Sequence, residues 1–316
     1  MNNEIKKQSR GQFIRTTGLI AIGTLLSPKE LFSQTSPVIT FRNEAAKAKI
    51  TKQAIRGNIH LLEGSGGNIG VFSGRDGMLI VDSGIGVSEQ KIHSALASIG
   101  DKQLKYVVNT HWHFDHAEGN EWMHKKGATI IAHENTRNNL ASTIRVKDWN
   151  YTFDPAPGAA LPTIVFKDEH KLSFNGSEIR MKYYNPCHTN SDISVYFSEA
   201  DILQVGDTWW NAHYPFIDHD TGGSIDGMIE ASNQNLSLAT NKTKIIPGHG
   251  AVGDRNQLLQ FRDMLVSVRD KVSRLKKEGR SMQEVVDAKP TSAFDATYGT
   301  FAVDGSFFTR LVYHDV

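Results

Sequence analysis

The run His111-Trp112-His113-Phe114-Asp115-His116 constrains this chain more than any other feature. It places four side chains able to ligate a metal within six residues. Residues at i and i+2 do not share a helix face, so this is not the helical His-Glu-x-x-His arrangement. The run follows the apolar segment Tyr106-Val107-Val108 directly, which makes it a loop leaving a strand. Two histidines then point one way, while Asp115 and His116 begin the next turn and face a neighbouring centre. Three further ligand types sit just past predicted strands: His188 after Met181–Asn185, Asp207 after Ile202–Val205, and His249 after Lys244–Ile246. Such strand-end loops on a rigid scaffold commonly carry binding residues. Five imidazoles and two carboxylates suffice for two adjacent metal sites. Imidazole with some carboxylate suits zinc, iron or manganese, with zinc the usual outcome for an exported hydrolase.

The rest of the chain supplies a sheet scaffold. Gly64-Ser65-Gly66-Gly67, between the strand-like runs Ile59 to Leu62 and Ile69 to Ser73, reads as a turn within a sheet. Met78-Leu79-Ile80-Val81 is a buried-strand run ending at Asp82-Ser83-Gly84. Residues 88–98 have helical spacing, with Ile92, Ala95, Leu96 and Ile99 on one face. A strand at Thr129 to Ala132 precedes a polar helix near 134–143, and the proline-bearing segment 150–163 reads as an irregular excursion. Short strands follow near 164–166, 170–174, 178–184, 193–197 and 201–205, with helices at 224–239 and 255–277. Two runs of strands, each followed by helices, predict an α/β sandwich with a central pair of sheets. The tail, rich in Phe294, Phe301, Phe307 and Phe308, is expected to pack back on the core.

Composition narrows the function. The 35 basic and 34 acidic residues leave a net charge of +1, against the basic excess of a nucleic-acid binder. The single cysteine excludes an intramolecular disulfide framework, thiolate zinc fingers and iron–sulfur clusters. Residues 1–37 differ from the rest. Lys6, Lys7, Arg10 and Arg15 precede the apolar run Leu19 to Leu26, too short to span a bilayer and proportioned like a signal-peptide core. Ser9-Arg10-Gly11-Gln12-Phe13-Ile14-Arg15 resembles a twin-arginine export signal with Gly11 in place of the second arginine. We therefore expect a signal peptide over 1–37, a single folded domain over 38–316 (a hydrolase domain by the resemblance described next), a periplasmic or secreted location, and no stable membrane association after cleavage. Residues 1–34 carry five basic and two acidic side chains, so the positive sign belongs to the leader.

From Val81-Asp82-Ser83-Gly84 to Pro247-Gly248-His249-Gly250 the chain resembles the metallo-β-lactamase superfamily of binuclear metal hydrolases. The resemblance implies an αβ/βα four-layer sandwich, two central mixed β-sheets flanked by helices, with the metals at one edge of the sheets. It implies two zinc ions per chain: one held by His111, His113 and His188, the second by Asp115, His116 and His249, and Asp207 bridging both. True β-lactamases of the superfamily generally have a cysteine or serine near the place of that aspartate. Retention of Asp207 points to the thiolesterase, lactonase and broad metallohydrolase branches. Cys187 stands where relatives usually have glycine; it reads as a buried, inert thiol, because its side chain points away from that of His188 along an extended segment.

The mechanism so implied uses two metals roughly 3.5–4 Å apart sharing a hydroxide that attacks a polarised carbonyl. Asp115 and Asp207 are its catalytic carboxylates, with Asp115 orienting the nucleophile and passing on its proton. Asp82 is a candidate partner of a ligand, with a strand-end cap as the competing role. Trp112, Phe114, Trp209, Trp210, His213, Tyr214 and Phe216 are candidates for an aromatic pocket rim, against simple packing under the loop. No basic cluster is evident that would clamp a phosphate or the carboxylates of a peptide cofactor. The expected substrate is a small amide or lactam, lactone or thioester, with β-lactam turnover as a secondary activity. The alternatives are an iron persulfide dioxygenase and a phosphate or sulfate ester hydrolase on the same fold. The flavin di-iron branch is disfavoured by His113, which replaces its usual glutamate, and the nuclease branch by the neutral charge and leader. A catalytically dead scaffold fits poorly with a complete ligand set.

Overall fold

A computed structural model describes residues 36–316; of the signal peptide expected over 1–37, residues 1–35 lie outside the described residues. Ser36 and Pro37, on the leader side of the expected boundary, already pack with the domain. The Ser36 side chain caps the helix α1 (Pro37–Lys47), with proline in the first turn, a preferred start for a helix.

The first sheet is seven-stranded. In spatial order it contains β1 (Thr51–Arg56), β2 (Ile59–Glu63), β3 (Ile69–Gly74), β4 (Gly77–Val81), β5 (Leu104–Val108), β6 (Thr129–His133) and β9 (Ile164–Phe166). It begins as an antiparallel meander and becomes parallel from β4 onward. The second sheet orders β10 (Glu169–Phe174), β11 (Ser177–Tyr183), β12 (Ile193–Phe197), β13 (Ile202–Gln204) and β14 (Lys244–Ile246), with only the last pair parallel.

Alternation along the strands builds the layers. Leu79 and Val81 of β4 face the second sheet, joining Ile179, Val195 and Ile202 in the inner core. Met78 and Ile80 face outward onto Ile92 and Leu96 of α2 (Glu89–Ala97) and Trp122 of α4 (Asn120–Lys125), which follows the short α3 (Phe114–Ala117). Burial on both faces is why β4 reads as a continuous apolar run rather than an alternating one. On the far side of the second sheet pack α6 (Ile225–Leu238), α7 (Arg255–Lys277) and the C-terminal α10 (Gly305–Asp315). The result is the expected four-layer αβ/βα sandwich. The tail packs as expected, with Phe308 and Leu311 buried.

Some elements differ from expectation. Residues 150–163 are not wholly irregular, because β8 (Tyr151–Phe153) pairs with β7 (Ile144–Val146) in a two-stranded ribbon after the helix α5 (Glu134–Leu140). The helices α4, α8 (Met282–Asp287) and α9 (Asp295–Tyr298), and the strand β1, carry no strong period and are not evident in the sequence, and α1 is signalled only by its first turn. Among the described residues no helix is long and apolar enough to cross a membrane.

Candidate metal centre

All seven sequence-predicted ligands converge where the strands of both sheets end. Asp82 follows β4, the histidine run follows β5, Asp207 follows β13, and His249 follows β14. Ligand atoms of His111, His113, His188 and Asp207 form one group, and those of Asp115, His116 and His249 another, each within 4.8 Å. Asp207 joins them: its Oδ1 lies 3.1 Å from His116 Nε2, and its Oδ2 lies 3.5 Å from His188 Nε2 and 3.4 Å from His249 Nε2. Asp115 Oδ2 is 3.2 Å from His249 Nε2.

Acceptors behind the rings fix the tautomers. Asp218 Oδ2 and the Phe216 carbonyl can only accept, so His113 carries its proton on Nε2 (3.0 Å to Asp218) and His188 on Nδ1 (2.7 Å to Phe216 O). Their other nitrogens, His113 Nδ1 and His188 Nε2, then face each other 2.9 Å apart, and where both rings are neutral neither carries a proton to share. Two lone pairs at that distance repel unless a cation lies beside them. His111 Nε2, His116 Nε2 and Asp207 Oδ1 are likewise buried with no hydrogen-bond partner. The residues therefore fit a metal pair in the two sets expected.

Electrostatics divides the histidines. Burial, with neighbouring rings, holds His111 well below the usual imidazole range, and burial takes His188 down to about 4. Both are neutral and ready to ligate. Burial opposes protonation of His116 and His249 too, but Asp207 and Asp115 outweigh it, taking His116 well up and His249 up to about 9.

Asp82 acts on a ligand and on the strand end together. Its carboxylate accepts from His116 Nδ1 at 2.9 Å and from the Thr110 backbone and hydroxyl at 2.7 and 2.8 Å. The Gly64–Gly67 turn also has a closer role than expected. A Cβ at Gly67 would overlap the His116 ring, and one at Gly248 would overlap Asp207. Only glycine lets backbone approach the ligands this closely. Next to it, Asn68 donates to the Pro247 and Gly250 carbonyls at 2.9 Å each, pinning the His249 loop. Cys187 is fully buried and donates to Asp192, and burial pushes its thiol up, as befits an inert group.

A cleft of about 430 Å3, solvent at its mouth included, opens on His113, Asp115, Asp207 and His249. Of the pocket candidates, Phe114, Trp210 and Phe216 line it. Trp209 and Tyr214 do not. Trp209 is fully buried in the core, and Tyr214 stacks on Phe308 at 4.8 Å with its hydroxyl donating to Asp295. His213 packs with its ring tilted against Phe301 at 4.8 Å, and Trp112 anchors the loop through Thr221 and lines a neighbouring groove. The neighbours Trp209 and Trp210 point to opposite sides of the chain, one into the core and one to the cleft.

Sequence reasoning missed the rest of the wall: Pro37, Val38 and Phe41 of α1, Trp149 of the β7–β8 turn, and Ala302 and Val303. The Ser36-Pro37 helix start and the i, i+3 spacing of Val38 and Phe41 were available signals. Asp218, which positions His113, carried none.

The comparisons agree with this geometry. The sequence profile of the Metallo-beta-lactamase superfamily matches residues 62–249. The chain is 27% identical over 234 residues to the lactamase-like protein aptB of Emericella nidulans, covering 72% of this chain and 64% of that one. It is 24% identical over 199 residues to the metallo-beta-lactamase type 2 of Bacillus cereus, covering 62% and 71% respectively. Among solved structures, the stereoselective inverting sec-alkylsulfatase Pisa1 from Pseudomonas sp. superposes with a TM-score of 0.62 at 15% identity. That match covers 87% of this chain and 51% of the sulfatase, so the chain spans about half of that protein and under two thirds of the fungal one. A ligand set held in two groups at the strand ends of a four-layer sandwich, together with a profile match over more than half of its length, shows that the chain belongs to the metallo-beta-lactamase superfamily of metal-dependent hydrolases.

Proposed function

We propose that the chain is an exported, binuclear zinc-dependent hydrolase acting on the carbonyl of a small amide or lactam, lactone or thioester. The observation that carries this reading is Asp207, whose two oxygens reach both ligand groups. His111, His113, His188 and Asp207 would hold one ion, and Asp115, His116, His249 and Asp207 the second. When bound, such ions supply Lewis acidity and lower the pKa of water towards neutrality. Asp115 is placed to orient the attacking water and accept its proton, since its Oδ2 lies at the cleft floor beside His249. Asp82, Asp218 and the Phe216 carbonyl keep the ring lone pairs aimed inward throughout. The aromatic wall excludes water from the carbonyl and from the leaving group. Export rests on the leader-like segment ahead of Ser36.

Metal analysis of protein purified without chelators, coupled to a screen over β-lactams, lactones, thioesters, and phosphate and sulfate esters, tests the reading. We expect two metal ions per chain and turnover of a carbonyl substrate without oxygen uptake. Asp207→Ala and His116→Ala should each remove most turnover from a folded protein. One iron per chain with oxygen consumption, or full activity in either variant, would overturn it.

A further inference from the structure

The wall of the cleft carries information that the metal ligands do not. Its outer part is built from Val38, Phe41, Phe114, Trp149, Phe216 and Val303, drawn from five separate segments. Among the described residues that line it none is a lysine or arginine, and the polar groups are two imidazoles and the carboxylates of Asp115 and Asp207. A cation on the neighbouring groove is accounted for. Arg42 follows Phe41 in α1, but its Nε donates to Glu118 at 2.9 Å and its Nη1 to the Tyr151 hydroxyl at 2.6 Å. Its guanidinium lies 5.7 Å from the Phe114 ring centre and lines the neighbouring groove, not the cleft. An anionic substituent held against the outer wall, beyond the reach of ions bound at the floor, would therefore lose its hydration beside apolar side chains with no side-chain counter-charge among the described lining residues, a costly arrangement. An uncharged, apolar substituent would lose nothing.

The helix α1 is the part of this wall placed to set its width. Val38 and Phe41 stand one turn apart on its inner face, with Ile39 exposed on the outer one. The helix is fixed against the opposite wall, because the Ser36 hydroxyl at its start donates to the Trp149 carbonyl at 2.7 Å.

We propose that this site takes neutral substrates whose acyl-side substituent is a short apolar group, and that Val38 and Phe41 determine how long that group can be. The inference rests on the hydrolase reading above and narrows its substrate class. Acyl substrates carrying a carboxylate at the far end of that substituent are disfavoured by the same wall. Val38 and Phe41 are specificity residues of the wall and are not among the candidate metal ligands.

The test is calorimetric binding of a neutral ketone series, 2-butanone to 2-octanone, to the metal-loaded full chain. A ketone presents the carbonyl without being cleaved, so binding is read apart from turnover. Affinity should rise roughly three- to fourfold per added methylene until the cleft is full. Phe41→Ala and Val38→Ala should flatten that rise while leaving 2-butanone unchanged, and Ile39→Ala should behave as wild type. Replacing the terminal methyl of 2-heptanone by carboxylate, in 6-oxoheptanoate, should weaken binding at least tenfold. For carbonyl substrates that are turned over, the same variants should change KM with chain length at constant kcat. A flat ketone series, wild-type behaviour of Phe41→Ala, or tighter binding of the keto acid would overturn the proposal. A rising series on a protein that hydrolyses no carbonyl compound would instead refute the hydrolase reading and leave the apolar site standing.

Discussion

Asp218 offers a graded test of how the centre is held together. It is fully buried, and its Oδ2 accepts from His113 Nε2 at 3.0 Å and from the Thr221 hydroxyl at 2.6 Å. Burial raises its pKa, but the bond from His113 outweighs that and keeps the carboxyl below its usual range, hence ionised. Asp218→Asn keeps the shape and removes the charge. The amide oxygen should stay at the Oδ2 position, where two donors need an acceptor, and the NH2 should take the place of Oδ1, which has no partner. His113 then keeps its proton on Nε2 and its lone pair inward. Asp218→Ala removes both the charge and the tautomer control. Loss of such outer partners costs roughly 10–100-fold in metal affinity, or about 1.4–2.8 kcal/mol. We expect the Asn variant near the lower figure and the Ala variant near the upper. Competition with a chromophoric zinc chelator measures this, with circular dichroism to confirm folding. The loss should fall on the ion held by His111, His113 and His188, while the Asp115, His116 and His249 set keeps its affinity. Wild-type affinity in folded Asp218→Ala, or equal loss of both ions, would refute the reasoning.

Further outcomes follow from the same structure. The acidic neighbours that raise His116 and take His249 up to about 9 mean that a metal must displace protons there. Zinc affinity should climb with pH through neutrality, and titration of metal-free protein in weak buffer near pH 7 should acidify the solution; no proton release would contradict the assignment. At the C-terminus, His219 Nε2 lies 3.2 Å from Asp315 Oδ1, while Asp315 Oδ2 accepts from the Ile225 backbone N–H at the start of α6. Burial lowers the pKa of His219, but Asp315 outweighs it, so the net shift is upward from 6.5. A raised histidine stabilises the fold fully below its unfolded pKa and loses that contribution as pH rises through the folded value. Asp315→Asn should therefore destabilise more at pH 6 than at pH 9, by roughly 0.5–1 kcal/mol once solvent screening is allowed for; equal shifts in Tm at both pH values would argue against the pair. Finally, Trp209→Ala should cost roughly 3–5 kcal/mol of stability with KM unchanged, whereas Trp210→Ala should move KM; a KM change in the former would restore Trp209 to the cleft.

The inner site was legible because its chemistry is local. His111 to His116 follow one strand in a single loop, and His188, Asp207 and His249 each come just after an apolar run that fixes where a strand ends. Neither ligand type nor spacing depends on distant packing. The two-sheet architecture was legible for a similar reason, since the runs at β4, β5 and β14 are short, apolar and bounded by turns. The β7–β8 ribbon was not, because three-residue strands rich in polar and proline neighbours carry no period.

The cleft wall was hidden by a different physical circumstance. Each of its segments contributes one to three side chains, and what places them is tertiary packing: α1 against the β7–β8 turn, and residues 302–303 against Trp210 and Phe41 through Phe301. The alternation that sends Trp210 to the cleft and Trp209 to the core is set by backbone at one position, and a string of aromatics gives no hint of its phase. A metal-ligand set tolerates few exchanges, because each position must present a lone pair to a cation. An apolar wall tolerates many, because contact area and volume are what matter there. The catalytic class of this chain is thus written in residue identities, while its substrate is written in which apolar side chains meet, and Val38 and Phe41 are where that second record is open to experiment.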